Sequence, residues 1–186
     1  MNWLLADDII KSALNEDIQY GDITTESIVD SRQKSVVDLI AKIAGIEVFN
    51  RVFYILGDAE ALLYVQDGDE IKKGDKLGEI SGNIKTLLSG ERVALNFLQR
   101  MSGIATLTRN FVNKLEGTGI KLLDTRKTTP NMRIFEKYAV KIGGGTNHRF
   151  GLNDGVLIKD NHIDAAGGIK NAIDLVRKNA PFVRKI

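Results

Sequence analysis

Asp124-Thr125-Arg126-Lys127-Thr128-Thr129-Pro130 follows an apolar run at Ile120, Leu122 and Leu123. A guanidinium offers a planar fork of donors and an ammonium a compact charge. Beside three threonine hydroxyls they make a cradle for phosphate or carboxylate oxygens. A basic pair merely solvated at a strand end is the competing reading. In Gly143-Gly144-Gly145-Thr146-Asn147-His148-Arg149, consecutive glycines lower the barrier to unusual backbone angles or to close approach by a ligand. A flexible loop is the alternative there, and the polar run after the glycines favours the first reading. In Leu157-Ile158-Lys159-Asp160-Asn161-His162 an apolar strand again empties into a basic, amide-rich tip. Glu91-Arg92 stands near the start of a long helix, where an exposed ion pair is the plain interpretation. Arg126, Lys127, Arg149 and Lys159 recur at successive strand ends. Holding four cations together is unfavourable without anions, so a shared mouth would suit a ligand with several negative charges.

Other chemistries are excluded by type and spacing. With no cysteine there is no disulfide framework, thiolate metal site or thiol nucleophile. His148 and His162 lack the i, i+4 spacing of a helical zinc pair, and no carboxylate triad stands close to them. Nucleophile-elbow, P-loop and G-x-G-x-x-G patterns are absent, so a Rossmann dinucleotide site is not expected. Lys72 and Lys73 lie by a turn in LLYVQDGDEIKKGDKLGEISG, which resembles the β-hammerhead of biotinyl and lipoyl carriers. The Met-Lys-Met or Asp-Lys-Ala hairpin that accepts such cofactors is missing, so a structural half-barrel is expected. A net charge of +2 is too small to imply nucleic-acid binding. No apolar run could span a bilayer, and residues 1–30 are acidic where an export signal would be basic, which fits a cytoplasmic protein. Residues 121–149 are rich in Lys and Arg, with Asp124 and Glu136 as their only acids. That excess suggests a small-anion pocket, although Lys137 and Lys141 read as a solvated helix face.

The elements that must position these groups follow from periodicity. Residues 7–16 carry Ile9, Ile10, Ala13 and Leu14 at helical spacing, before a turn at Tyr20-Gly21-Asp22. Residues 34–43 read as a strand closed by Gly45, and residues 47–56 as a helix. The turns Asp67-Gly68-Asp69 and Lys73-Gly74-Asp75 separate short strands. A long amphipathic helix is expected from Ser89, its N-cap, interrupted at Gly103 and ended by Gly117 and Gly119. Beyond it strand-like IKLLDTR and VLIKD alternate with helical MRIFEKYAV and GIKNAIDLVRKNA, which argues for parallel βαβ units. The domain boundary falls near residues 103–118. Pro181-Phe182-Val183-Arg184-Lys185-Ile186 reads as a new strand, so the chain is expected to be truncated at its C-terminus.

GDITTE (21–26), LSGERVALNFLQRMSGIATLT (88–108) and LLDTRKTTPNMRIFEKYAVKIGGGTNHRFGLNDGVLIKDNHI (122–163) together resemble the type II phosphoribosyltransferases, and among them quinolinate phosphoribosyltransferase most closely. The resemblance implies an α/β protein. Residues 1–110 would form a hammerhead-like α/β sandwich with a long linking helix, and residues 111–186 the first βα units of an incomplete α/β barrel. It implies conversion of quinolinate and phosphoribosyl pyrophosphate to nicotinate mononucleotide, pyrophosphate and carbon dioxide. Substrate binding would fall to Arg92, Thr125, Arg126, Lys127, His148, Arg149 and Lys159, with Lys127 and Lys159 catalytic. It implies a homodimer with Arg92 reaching across the interface, and Mg²⁺ held by acids beyond Ile186. The alternatives are a non-catalytic fragment that only dimerises or binds ligand, and a related protein linked to molybdate transport.

Overall fold

A computed structural model describes residues 1–40 and 46–180. The expected close of the first strand at Gly45 and the expected final strand at 181–186 lie outside the described residues. Cα proximity divides the chain into two compact units. The first comprises residues 1–124 and 128–147; the second comprises residues 125–127 with those from 148 onward.

In the first unit α1 (Trp3–Ile18) buries Ala6, Ile10 and Leu14, one residue per turn on a single face. Its outer turns hold a small stack, in which the Arg51 guanidinium pairs with Asp7 at 2.5 Å and lies over the rings of Trp3 and Tyr54. A short helix that periodicity did not suggest, α2 (Ile23–Ile28), follows. Asp22 caps it by accepting from the Thr25 backbone N–H and hydroxyl. The strand β1 (Lys34–Ile40) leads to α3 (Ile46–Leu56), which buries Val48, Phe49, Val52 and Phe53. Then come β2 (Ala59–Leu63) and β3 (Lys76–Asn83). These strands form an antiparallel sheet of order β1-β3-β2, with Val37, Ile80 and Ala61 aligned across it. Leu39 and Ile80 turn into the core, while Val36, Asp38 and Leu62 face out, the alternation expected of a sheet covered on one side.

The segment between the two glycine-centred turns is not a strand. Each turn closes on itself instead. Asp69 accepts from the Gln66 N–H and Asp75 from the Lys72 N–H, at 2.9 and 2.7 Å. Such local caps satisfy the backbone without a neighbouring strand. Gly68 and Gly74, at φ +102° and +95°, supply the conformations these turns require.

The spine of this unit is α4 (Ile84–Leu115), which packs against α1, α3 and the later α5 (Arg133–Ile142). Its N-cap is Asn83, whose side chain accepts from the Lys85 N–H, so Ser89 lies inside the helix and is not its cap. Nor does Gly103 interrupt it. Glycine costs a helix only about 1 kcal/mol, which burial of Val93, Ala94, Phe97, Leu98 and Met101 outweighs.

In the second unit α6 (Asp160–Ala166) and α7 (Ile169–Asn179) pack on each other, and Ala172 is its one buried hydrophobic residue among those described. The expected strand VLIKD is absent: residues 156–159 are irregular and run straight into α6, which periodicity did not suggest. IKLLDTR likewise makes only an isolated bridge. No helix among the described residues is long and apolar enough to cross a membrane.

Candidate functional site

Leu123 and Thr146 form a parallel bridge. The Thr146 N–H donates to the Leu122 carbonyl at 2.8 Å, and the Asp124 N–H to the Thr146 carbonyl at 3.1 Å. Two segments therefore run side by side in one direction. The first continues into Thr125-Arg126-Lys127 and the second into His148-Arg149. Functional groups in parallel α/β architectures collect at such carboxyl ends.

The helix α5 holds the residues that flank these segments, with Arg133, Glu136 and Lys137 at i, i+3 and i+4 on one face. Lys137 corrects the expectation of a solvated helix face. It is 2% exposed, and its ammonium meets Asp124 Oδ1 at 2.5 Å. The other carboxylate oxygen faces Asn147, whose amide, turned so that its nitrogen points at acceptors, donates to Asp124 Oδ2 and to the Lys137 carbonyl at 3.0 Å each. Arg133 Nε donates to Thr128 Oγ1 at 3.0 Å. Glu136 accepts from the Thr129 N–H at 3.1 Å and from Arg100 of α4. Burial pushes the Glu136 carboxyl up. Hydrogen bonds from Arg100 and from the Thr129 side chain and backbone outweigh it and hold the group below its ordinary range.

Packing explains the first and third residues of the triple glycine. A Cβ on Gly143 would lie 2.5 Å from the Ala105 carbonyl of α4, and one on Gly145 would lie 2.7 Å from Val140. Arg109 of α4 donates to the Gly143 and Ile142 carbonyls, meeting the open end of α5 with a cation. Gly143 and Gly145 thus permit close approach of helix to loop, while Gly144, at φ +91°, takes a left-handed backbone that favours glycine.

Thr125, Arg126, Lys127, His148, Arg149 and Lys159 all fall in the second unit. Thr125 Oγ1 accepts from the Lys127 N–H at 3.0 Å, which curls the segment. Thr125, Lys127, His148 and Lys159 are exposed, while Arg126 and Arg149 are half-buried. Arg149 Nη1 donates to the Gly155 carbonyl at 2.9 Å, across a loop that Asp154 closes through the Phe150 and Gly151 N–H groups. Lys159 occupies the N-cap of α6, where its N–H donates to His162 Nδ1 at 3.0 Å. His162 therefore acts as a cap acceptor. An open concavity of about 490 Å³, lined by Arg149, Leu157, Ile158, His162, Leu175 and Val176 among others, lies in this unit.

Arg92 belongs to the first unit, exposed on α4 one turn beyond Ser89. Ser89 donates to Asp22, whose carboxyl is held below its usual range first by Thr25 and then by smaller bonds, that of Ser89 among them. GDITTE is thus a helix cap seated against α4. Among the described residues no three of His, Asp, Glu or Cys stand together as a metal site.

Sequence reasoning missed the set Asp124, Lys137, Asn147, Glu136, Arg133 and Arg100. One signal was available. Lys137 follows Ile134 by three residues and Phe135 by two, inside the stripe that α5 buries.

Comparison with known proteins gives a consistent result. The N-terminal domain of quinolinate phosphoribosyl transferase matches residues 22–102, and its C-terminal domain matches residues 104–186. A Bacillus subtilis protein named probable nicotinate-nucleotide pyrophosphorylase (carboxylating) is 45% identical over 97% of this chain, and the chain spans 64% of its length. The Mycobacterium leprae nicotinate-nucleotide pyrophosphorylase (carboxylating) is 42% identical over 95% of this chain and is covered over 65% of its own. The crystal structure of NadC from Streptococcus pyogenes superposes with a TM-score of 0.91 at 46% identity, covering 98% of this chain and 67% of that one.

Proposed function

The chain belongs to the quinolinate phosphoribosyltransferase family, and from that premise we propose that it carries the anion-binding part of an enzyme making nicotinate mononucleotide from quinolinate and phosphoribosyl pyrophosphate in NAD biosynthesis. The quinolinate ring nitrogen bonds to the anomeric carbon as the carbon–oxygen bond to pyrophosphate breaks, its electron pair leaving with pyrophosphate. The 2-carboxylate then departs as carbon dioxide, and the pair left on the ring carbon takes a proton.

Each step asks for fixed positive charge. Quinolinate is a dianion and phosphoribosyl pyrophosphate carries more charge still, so Arg126 and Arg149 serve as forks for carboxylate and phosphate oxygens. Lys127 and Lys159 are the catalytic cations, stabilising negative charge on the departing pyrophosphate. Thr125 and His148 supply further hydrogen bonds, and Arg92 is given to a partner protomer's site in a cytoplasmic homodimer. A hammerhead-like sandwich followed by an incomplete α/β barrel is the architecture proposed for the whole.

The observation that carries the proposal is the parallel pair at Leu123 and Thr146, both of whose carboxyl ends run into cationic segments. Nicotinate mononucleotide formation from the two substrates, followed by chromatography, tests it. Arg126→Ala and Lys159→Ala should each lower kcat/KM on the order of a hundredfold or more, the loss of a charge-stabilising donor. Normal turnover in both variants would overturn the site assignment.

A further inference from the structure

We propose that Asp124, Lys137 and Asn147 form a positioning group for this reaction, a buried ion pair and amide that fix the backbone from which both cationic segments depart. The inference rests on the functional reading above and extends it to residues that touch no substrate.

Three observations carry it. First, the pair is buried, with side-chain exposures of 3% for Lys137 and 6% for Asp124. Desolvating two charges offsets most of their attraction, and well-packed apolar residues would hold the fold as well or better. Stability alone does not account for a lysine here, whereas directionality does. Second, the group joins three places at once. Asp124 ends one segment of the parallel pair, Asn147 directly follows Thr146 in the other, and Lys137 comes from α5. Asp124 Oδ1 takes the ammonium and Oδ2 takes the amide, so neither segment end can slide or rotate without breaking a bond. Third, each tied residue directly precedes a cationic segment, Asp124 before 125–127 and Asn147 before 148–149. The other flank of the first segment is tied to the same helix by Arg133 to Thr128 and by Glu136 to the Thr129 N–H.

The residues that flank Arg126 and Lys127 in the chain, Asp124 before them and Thr128 and Thr129 after them, are thus both anchored to α5. Displacing a catalytic group by about 1 Å can cost about a hundredfold in rate, so anchoring of this kind sets turnover more than attraction. The long-range pull of the cations on their substrates survives a small shift, so the loss belongs in kcat rather than in KM.

The test uses the intact gene product and two variants. Asp124→Asn with Lys137→Met removes both charges at similar shape, and Asn147→Ala deletes the exposed arm of the group. Expected for both is a cooperative melt near that of the unaltered protein. With activity normalised to folded protein, kcat should fall about tenfold for Asn147→Ala and more for the double variant, with KM for both substrates little changed. Unchanged kcat in a folded variant would overturn the proposal, as would a loss in Asn147→Ala that tracks its folded fraction. Should the double variant not fold, Asn147→Ala decides alone. If the unaltered protein makes no nicotinate mononucleotide, it is the reaction assignment that falls.

Discussion

A lysine on an amphipathic helix ordinarily reaches water, and Lys137 stays inside because Asp124 meets its ammonium and Asn147 donates to the carboxylate's other oxygen. The neighbouring Glu136 leads to a prediction about pH. Its carboxyl is held below the ordinary range in the folded protein. A depressed folded-state pKa contributes stability above the unfolded value, near 4.3, and loses it as the pH falls through the folded value. Urea unfolding at pH 7 should find Glu136→Gln less stable than the unaltered protein by about 1–3 kcal/mol. The gap should narrow below about pH 4; a gap of constant size would refute this account of Glu136. The candidate cations Arg126, Lys127, Arg149 and Lys159 stand out in the sequence by type and spacing, without the strands expected to carry them. Their anchors do not. Asp124 and Lys137 are thirteen residues apart, and only the fold makes them neighbours.

At the scale of elements, two glycines of α4 should respond oppositely to the same change. A Cβ on Gly90 would lie 2.6 Å from Leu56 and 2.9 Å from the Phe53 ring, where α3 packs most closely. Gly90→Ala should destabilise by about 1–3 kcal/mol, the usual cost of overpacking. At Gly103 a Cβ would meet nothing within 4 Å. There Gly103→Ala should raise the melting temperature, stabilising by about 0.5–1 kcal/mol through the unfolded chain's lost freedom. Thermal melts of both variants check the pair, and a shift of the same sign in both would contradict the packing described. Helices with a clear apolar stripe, α1, α3 and α4, were readable because burial follows period. The short α2 and α6 were not, since their starts depend on caps, Asp22 for one and the Lys159 N–H to His162 contact for the other. The strands expected at 120–126 and 156–160 failed for another reason. An apolar run signals burial, but strand structure needs a partner in register, which among the described residues Leu123 alone finds, at Thr146.

For the whole molecule, the proposed homodimer gives Arg92 and Lys159 to the same site from different protomers. Arg92→Ala and Lys159→Ala proteins, each inactive alone, should then regain activity when their subunits are mixed and exchanged. One site of each mixed dimer would be intact, and half the dimers mixed, so recovery approaches about a quarter of the unaltered activity. No recovery, with exchange verified, would place Arg92 within its own protomer's site or outside any site. The stack of Arg51 on Trp3 and Tyr54 bears on how such proteins can be observed. Trp3 is the chain's one tryptophan, and it lies in the first unit with a guanidinium 5.3 Å from its ring. Its emission is therefore a reporter built into the chain, colouring only the packing of α1 on α3. Circular dichroism sums the helices of both units, so the two signals, followed through one denaturation, separate the melting of each unit without any label.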